Sequence, residues 1–250
     1  MVRSASFPLP ARLWLVRHAE SQGNLADREA AVRAADRLEL SHRDADMPLS
    51  PTGQRQAAAL GRSWRTLPTE QRPAVVVTSP YERALQTARI ALDESGWDAE
   101  LLRDERLRER DLGMLDGWTK QGITRRYPEE AERRGWVGKF YYRPPGGESW
   151  ADVAGRVRAF LDSTRLDYPG ERVAVVSHQA VIMLFRFVLE SLTEQEILEI
   201  DRTSAIANTA VTRYVADGKA LRLETFNGTE HLEDREEPVT DEPDPSTLSR

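Results

Sequence analysis

The chain contains no cysteine, which removes disulfides, thiolate metal sites and cysteine nucleophiles at once. It carries no excess of positive charge either. A formal net charge of -6 over 250 residues argues against a general nucleic-acid binder, which needs a basic surface. No apolar run reaches the roughly 20 residues of a membrane-spanning helix. Met1 to Pro10 holds one arginine, two prolines and no apolar stretch, so it does not read as a secretory signal. These absences make a cytoplasmic protein with no membrane or nucleic-acid partner the expectation, and they leave oligomeric state open. An anionic small substrate stays compatible, because a few arginines in one cleft can reverse the local field.

What is present describes an ordinary globular core, with 40% apolar and 30% charged residues. Three short apolar runs stand out: Leu13 to Val16, Ala74 to Val77 and Val173 to Val176. They do not alternate, which suits strands buried on both faces. Helical patterns lie between them, for example Ala57, Leu60, Gly61 and Trp64 after Ser50-Pro51-Thr52. Trp150, Val153, Ala154, Val157, Phe160 and Leu161 repeat the pattern after Ser149. Such alternation implies a three-layer α/β/α fold with a mainly parallel central sheet. Two late strand candidates, Ala210 to Val215 and Leu221 to Phe226, flank Asp217-Gly218, a hairpin signal. Residues 1–231 therefore read as one domain, and the acidic stretch 232–250 reads as a disordered tail.

Polar residues gather where the three runs end. The first runs into Arg17-His18, the second into Thr78-Ser79-Pro80 and then Arg83, and the third into Ser177-His178. Ligands of open parallel sheets bind at the carboxyl ends of strands, so the fold would bring two histidines and two arginines to one rim. That set suits phosphoryl transfer. A guanidinium fork fits phosphate oxygens bidentately, and neutral imidazole attacks phosphorus to give a covalent intermediate. The second histidine can donate to the transferring oxygens. None of this chemistry calls for a metal or an organic cofactor.

The local motifs resemble those of the histidine phosphatase superfamily, the phosphoglycerate mutase-like proteins with an RHG signature. Leu15-Val16-Arg17-His18-Ala19-Glu20-Ser21-Gln22-Gly23-Asn24 is similar to that signature. Asp46-Met47-Pro48-Leu49-Ser50-Pro51-Thr52-Gly53-Gln54-Arg55-Gln56-Ala57 resembles the next block. Ser79-Pro80-Tyr81-Glu82-Arg83-Ala84 and Leu107-Arg108-Glu109-Arg110-Asp111-Leu112-Gly113 follow in family order. Pro145-Gly146-Gly147-Glu148-Ser149 and Val176-Ser177-His178 complete the series. The resemblance implies a phosphatase with His18 as phosphate acceptor. It implies Arg17, Arg83, His178 and Asn24 as phosphate contacts, and Glu109 as proton donor and later base. Glu148 and Ser149 fall in a matching block, where Ser149 reads as a helix cap.

Two departures stand out: Ala19 replaces the glycine of the RHG name, and Gln179 follows His178 where many members have glycine. Mutases of this superfamily usually show a Glu-Arg-His-Tyr-Gly run. Here the stretch is Glu109-Arg110-Asp111-Leu112-Gly113, so hydrolysis of a small phosphorylated substrate is preferred over a cofactor-dependent phosphoglycerate mutase. An inactive phospho-ligand-binding module would be expected to have lost His18, Arg83 or His178, and none is lost. His42, Asp44 and Asp46 could be drawn as a metal trio, but their alternation in a polar loop reads as solvent exposure. Leu25 to Asp46 and part of Thr119 to Arg143, with Trp136, Phe140, Tyr141 and Tyr142, are expected to cover the pocket as lid-like helices.

Overall fold

The computed structural model describes residues 9–241. The first half contains β1 (Arg12–Arg17), α1 (Gln22–Arg33), α2 (Pro51–Arg65), β2 (Val75–Thr78), α3 (Glu82–Ser95) and β3 (Glu100–Arg103). Then come α4 (Lys120–Arg126), α5 (Pro128–Val137), α6 (Trp150–Asp167), β4 (Arg172–Ser177), α7 (Gln179–Leu189) and α8 (Glu194–Thr203). The hairpin β5 (Val211–Asp217) and β6 (Ala220–Gly228) precedes a short α9 (Glu230–Glu233).

The strands form one six-stranded sheet in the order β3-β2-β4-β1-β5-β6. β1 to β4 pair in parallel, and β5 and β6 turn back antiparallel at one edge. Burial on both faces explains the unbroken apolar runs. Leu13, Leu15, Val173 and Val175 pack toward Val157, Phe160, Ile182 and Phe185 of α6 and α7. On the other face Trp14, Val16, Ala174 and Val176 meet Leu60, Trp64, Ala88 and Leu92 of α2 and α3. The helix starts follow the expected chemistry. Ser50 accepts the Gly53 N–H at 2.9 Å, and Ser149 with Asp152 closes a capping box. β3 was not anticipated: Glu100-Leu101-Leu102-Arg103 is a short edge strand with charged ends and only partial burial.

The expected tail needs correction over its first ten residues. Leu232 is fully buried, and His231 Nε2 lies 3.0 Å from Thr209 Oγ1. Gln56 Nε2 donates to the Pro238 carbonyl at 2.8 Å, and Asn208 N–H donates to the Thr240 carbonyl at 2.8 Å. One buried leucine and a few backbone bonds thus outweigh the polar composition that suggested disorder. Residues 242–250 of that expectation lie outside the described residues. Among the described residues no helix is long and apolar enough to cross a membrane. Leu232→Ala should cost about 2–4 kcal/mol in urea unfolding, as emptying a closed apolar site does. A midpoint matching that of the parent chain would mean the segment is only loosely laid on the body.

Candidate active site

Strand register does the first part of the assembly. Arg17 pairs with Ser177 in the β1–β4 ladder, so the residues that follow, His18 and His178, leave the sheet side by side. His18 N–H donates to the Ser177 carbonyl at 2.8 Å, and the two imidazole centroids stand 5.1 Å apart. β2 lies next to β4, and its exit through Ser79 and Pro80 leads into the first turn of α3, which carries Arg83. Arg17, His18, Arg83 and His178 are all at least 95% buried from solvent. Arg17, His18 and Arg83 border a cavity of about 380 Å³, together with Asn24 and Glu109.

His18 has a defined tautomer. His18 Nδ1 lies 2.8 Å from the Ala19 carbonyl, which only accepts, so Nδ1 carries the proton and Nε2 keeps its lone pair. His178 Nε2 lies 2.8 Å from Ser79 Oγ. That hydroxyl accepts the Tyr81 N–H at 3.2 Å, and its own proton is available to Nε2. His178 Nδ1 lies 3.7 Å from Glu109 Oε2, too far for a hydrogen bond. The Tyr81 ring sits edge-on to His178 at 5.3 Å and holds its plane.

The cations are aimed as well. Arg17 donates to the Ile206 carbonyl. Arg83 forks onto Asp44, with Nη1 2.9 Å from Oδ1 and Nη2 3.3 Å from Oδ2. A carboxylate thus occupies the bidentate face of Arg83, the shape a phosphate also presents. Asp44 thus keeps a 38% exposed side chain while it is tied to Arg83, and Asp46 pairs with Arg43 at 2.7 Å. Asn24 lies in the first turn of α1, where its Oδ1 accepts the Ser21 N–H at 2.9 Å and the Ser21 hydroxyl at 3.0 Å. Only its amide nitrogen can turn toward an anion. Glu109 keeps a 22% exposed side chain at the rim, so water can reach it.

A family model for the histidine phosphatase superfamily (branch 1) matches residues 13–229. The chain belongs to that superfamily. A 2,3-bisphosphoglycerate-dependent phosphoglycerate mutase of Methylobacterium radiotolerans is 33% identical over 191 residues, 75% of this chain and 83% of that protein. A 6-phosphofructo-2-kinase/fructose-2,6-bisphosphatase of Caenorhabditis elegans is 31% identical over 230 residues, 89% of this chain but 44% of that longer protein. Among solved structures, Bacillus stearothermophilus YhfR superposes with a TM-score of 0.71 at 26% identity, covering 88% of this chain and 98% of that one.

Much of the superfamily pattern in this chain is scaffolding. A Cβ at Gly53 would lie 2.0 Å from the Glu20 carbonyl, so only glycine lets α2 approach the loop after His18. Gln56 Oε1 accepts the Glu20 N–H at 3.0 Å, and Asn208 Nδ2 donates to the His18 carbonyl at 2.9 Å. Glu148 takes Arg108 at 2.7 Å and Arg156 at 3.1 Å, and Arg156 also donates to the Glu109 carbonyl at 3.3 Å. It buttresses the Glu109 loop, while Ser149 serves as the cap. Sequence reasoning gave no role to Ser79, Tyr81 or Asp44. The Ser-Pro-x-x-Arg block carried Ser79 and Tyr81 in plain view, whereas Asp44 stood out only in a polar trio with His42 and Asp46, and nothing in the sequence pointed from it to Arg83.

The lid expectation divides. The helix that starts at Gln22 ends at Arg33 and borders the cavity only through its first turns, at Gly23, Asn24 and Asp27, while Leu38, Leu40 and Asp44 of the loop beyond it border the cavity as well. Helices α4 and α5 line a neighbouring cavity with Leu115, Ile123 and Tyr142. Phe140 and Tyr142 are buried, whereas Trp136 and Tyr141 face solvent, so those aromatics do not form one cover.

Electrostatics keep both histidines neutral. Burial, then the charges of Arg83 and Arg17, hold His18 well below the ordinary imidazole value, against a smaller opposing pull from the Ala19 carbonyl. Burial and Arg83 do the same to His178. His231, away from the site, is lowered by burial to about 4. Unfolded imidazoles take up protons near 6.5 while the folded ones do not, so stability present above that pH is lost as pH falls below it. Urea unfolding between pH 7.5 and 5 should show this loss, about 1.4 kcal/mol per pH unit for each such imidazole once the pH is well below 6.5. A flat profile across that window would show that the rings take up protons in place.

Proposed function

We propose that the protein is a metal-independent phosphomonoester hydrolase working through a phosphohistidine on His18. The observation that carries this reading is the pair of buried, neutral imidazoles 5.1 Å apart, of which His18 borders one cavity together with Arg17 and Arg83. The substrate phosphate displaces the Asp44 carboxylate from Arg83 or shares that guanidinium with it. Arg17, Arg83, His178 Nδ1–H and the Asn24 amide then hold the non-bridging oxygens. Arg83 and Arg17 supply the positive charge that the phosphoryl group needs as its bonds rearrange.

In the first step the His18 Nε2 lone pair forms the N–P bond. The P–O ester bond breaks, and the leaving oxygen takes the proton of Glu109. In the second step water attacks phosphorus, Glu109 accepts its proton, and the N–P bond breaks to release inorganic phosphate and neutral His18. The 22% exposed position of Glu109 at the cavity rim supports both roles. Hydrolysis is preferred over phosphate return because Asp111 and Leu112 stand where the mutases' run has His-Tyr.

The 33% identity to a phosphoglycerate mutase favours a second reading, transfer within phosphoglycerate. With 2,3-bisphosphoglycerate as primer, phosphate release should outrun conversion of 3- to 2-phosphoglycerate, and the reverse order would establish the mutase. His18→Ala should lower turnover by roughly 10⁴-fold or more and remove the acid-labile phosphoenzyme seen on rapid quenching. Normal turnover in that variant would end the nucleophile assignment. Glu109→Gln should slow alkyl phosphates by about 10²–10⁴-fold while barely affecting p-nitrophenyl phosphate, whose leaving group needs no proton. Equal losses on both would remove Glu109 from its role.

A further inference from the structure

The leaving-group side of the cavity has a chemistry of its own. Gln179 opens α7 and borders the cavity, yet it is 95% buried. Among the described residues neither its amide nitrogen nor its amide oxygen has a hydrogen-bond partner. A buried carboxamide unsatisfied at both ends has lost its water without gaining a partner, a cost that a glycine at this position would avoid. The amide offers one donor end and one acceptor end, the complement of a hydroxyl group, and it follows directly on His178 in the phosphate grip.

The outer wall is acidic. Asp27, Asp44, Asp111 and Asp116 border the same cavity. Partial burial and the charges of Asp44 and Asp111 raise the Asp116 carboxyl above its usual range, which places Asp116 within the field of both. The two further arginines at this wall are engaged elsewhere. Arg43 is largely exposed and paired with Asp46, and Arg110 donates to the Glu148 carbonyl at 2.7 Å and, more weakly, to that of Tyr142. A substrate bearing a second anion would meet carboxylates here. An uncharged one would meet Gln179 and the partly buried rings of Tyr81 and Trp118.

We propose that Gln179 reads a hydroxyl of the leaving group and that the carboxylate wall turns away a second anion, so that the substrates are phosphomonoesters of uncharged, hydroxyl-bearing alcohols. This rests on the phosphatase reading of the same site and narrows it.

Three three-carbon esters separate the components: n-propyl phosphate has no hydroxyl, glycerol 3-phosphate has two, and 3-phosphoglycerate has one and a carboxylate. Their dissociation constants are measured by calorimetry on His18→Ala protein, so that ranking does not depend on turnover. Glycerol 3-phosphate should bind roughly 5- to 10-fold more tightly than propyl phosphate, the worth of one or two hydrogen bonds. The 3-phosphoglycerate should bind more weakly than glycerol 3-phosphate. Adding Gln179→Met, which keeps length but removes both polar ends, should erase the advantage of glycerol over propyl and leave propyl phosphate and inorganic phosphate unchanged.

Tightest binding of 3-phosphoglycerate overturns the proposal. So does equal weakening of all ligands, inorganic phosphate included, which makes Gln179 a phosphate contact. A change confined to thermal stability does the same and makes it structural. The hydrolase reading is judged separately, by phosphate release from these esters and p-nitrophenyl phosphate with the unmodified protein. Ranked binding without release would leave the specificity standing and remove only the hydrolysis.

Discussion

Everything at this site follows from the parallel register between β1 and β4. One hydrogen-bonded pair, Arg17 with Ser177, fixes the height at which both strands leave the sheet, and the two histidines inherit their spacing from it. A slip of one residue would send either imidazole to the opposite face. The apolar side chains on both faces of these strands make that slip expensive, since each would have to leave its core cluster. The hydrophobic core thus sets the spacing of the two imidazoles. Once placed, the rings are buried beside two guanidinium groups, and burial together with those charges keeps them neutral. A neutral imidazole is what nucleophilic attack on phosphorus requires.

Around this pair the chain adds layers that hold backbone rather than substrate. Asn208 grips the His18 carbonyl, Gln56 grips the Glu20 N–H, and both are tied to Thr240 near the end of the described chain. Glu20, itself buried, accepts from Ser50 Oγ at 2.5 Å and from Arg28, linking the loop after His18 to α1 and α2. On the far side Gly113 has a positive φ of 55° and would clash with the Pro145 carbonyl if it bore a Cβ. That close approach locks the Glu109 loop against the turn carrying Glu148. Gln56 and Glu148, which fall in motif blocks of the sequence, therefore contribute rigidity to the loops around the site.

The strands, the main helices and the convergence of Arg17, His18, Arg83 and His178 were legible because they depend on local pattern. Apolar runs bury on two faces, polar residues follow directly at their ends, and hydroxyl caps mark helix starts. What was not legible depends on distant pairing. β3 carries too little apolar character to announce itself, and it exists because β2 offers an edge. Asp44 lies in a loop whose composition says solvent, and only the fold reveals Arg83 behind it. The segment around Leu232 looked disordered because one leucine among charged residues gives no periodicity, yet one buried side chain with bonds to Asn208 and Gln56 suffices to dock it. Gln179 was visible as a departure, but its unsatisfied amide was not.

The site is thus an electropositive floor beneath an electronegative wall, with Asp44 spanning the two through Arg83. The central claim is that one phosphoryl unit sits on that floor with His18 in line for attack. A crystal structure of the protein with orthovanadate tests it most directly. Vanadium bonded to His18 Nε2, its equatorial oxygens on Arg17, Arg83 and His178 Nδ1, is the expected result. Vanadate bound elsewhere, or bound without a bond to His18, would contradict it.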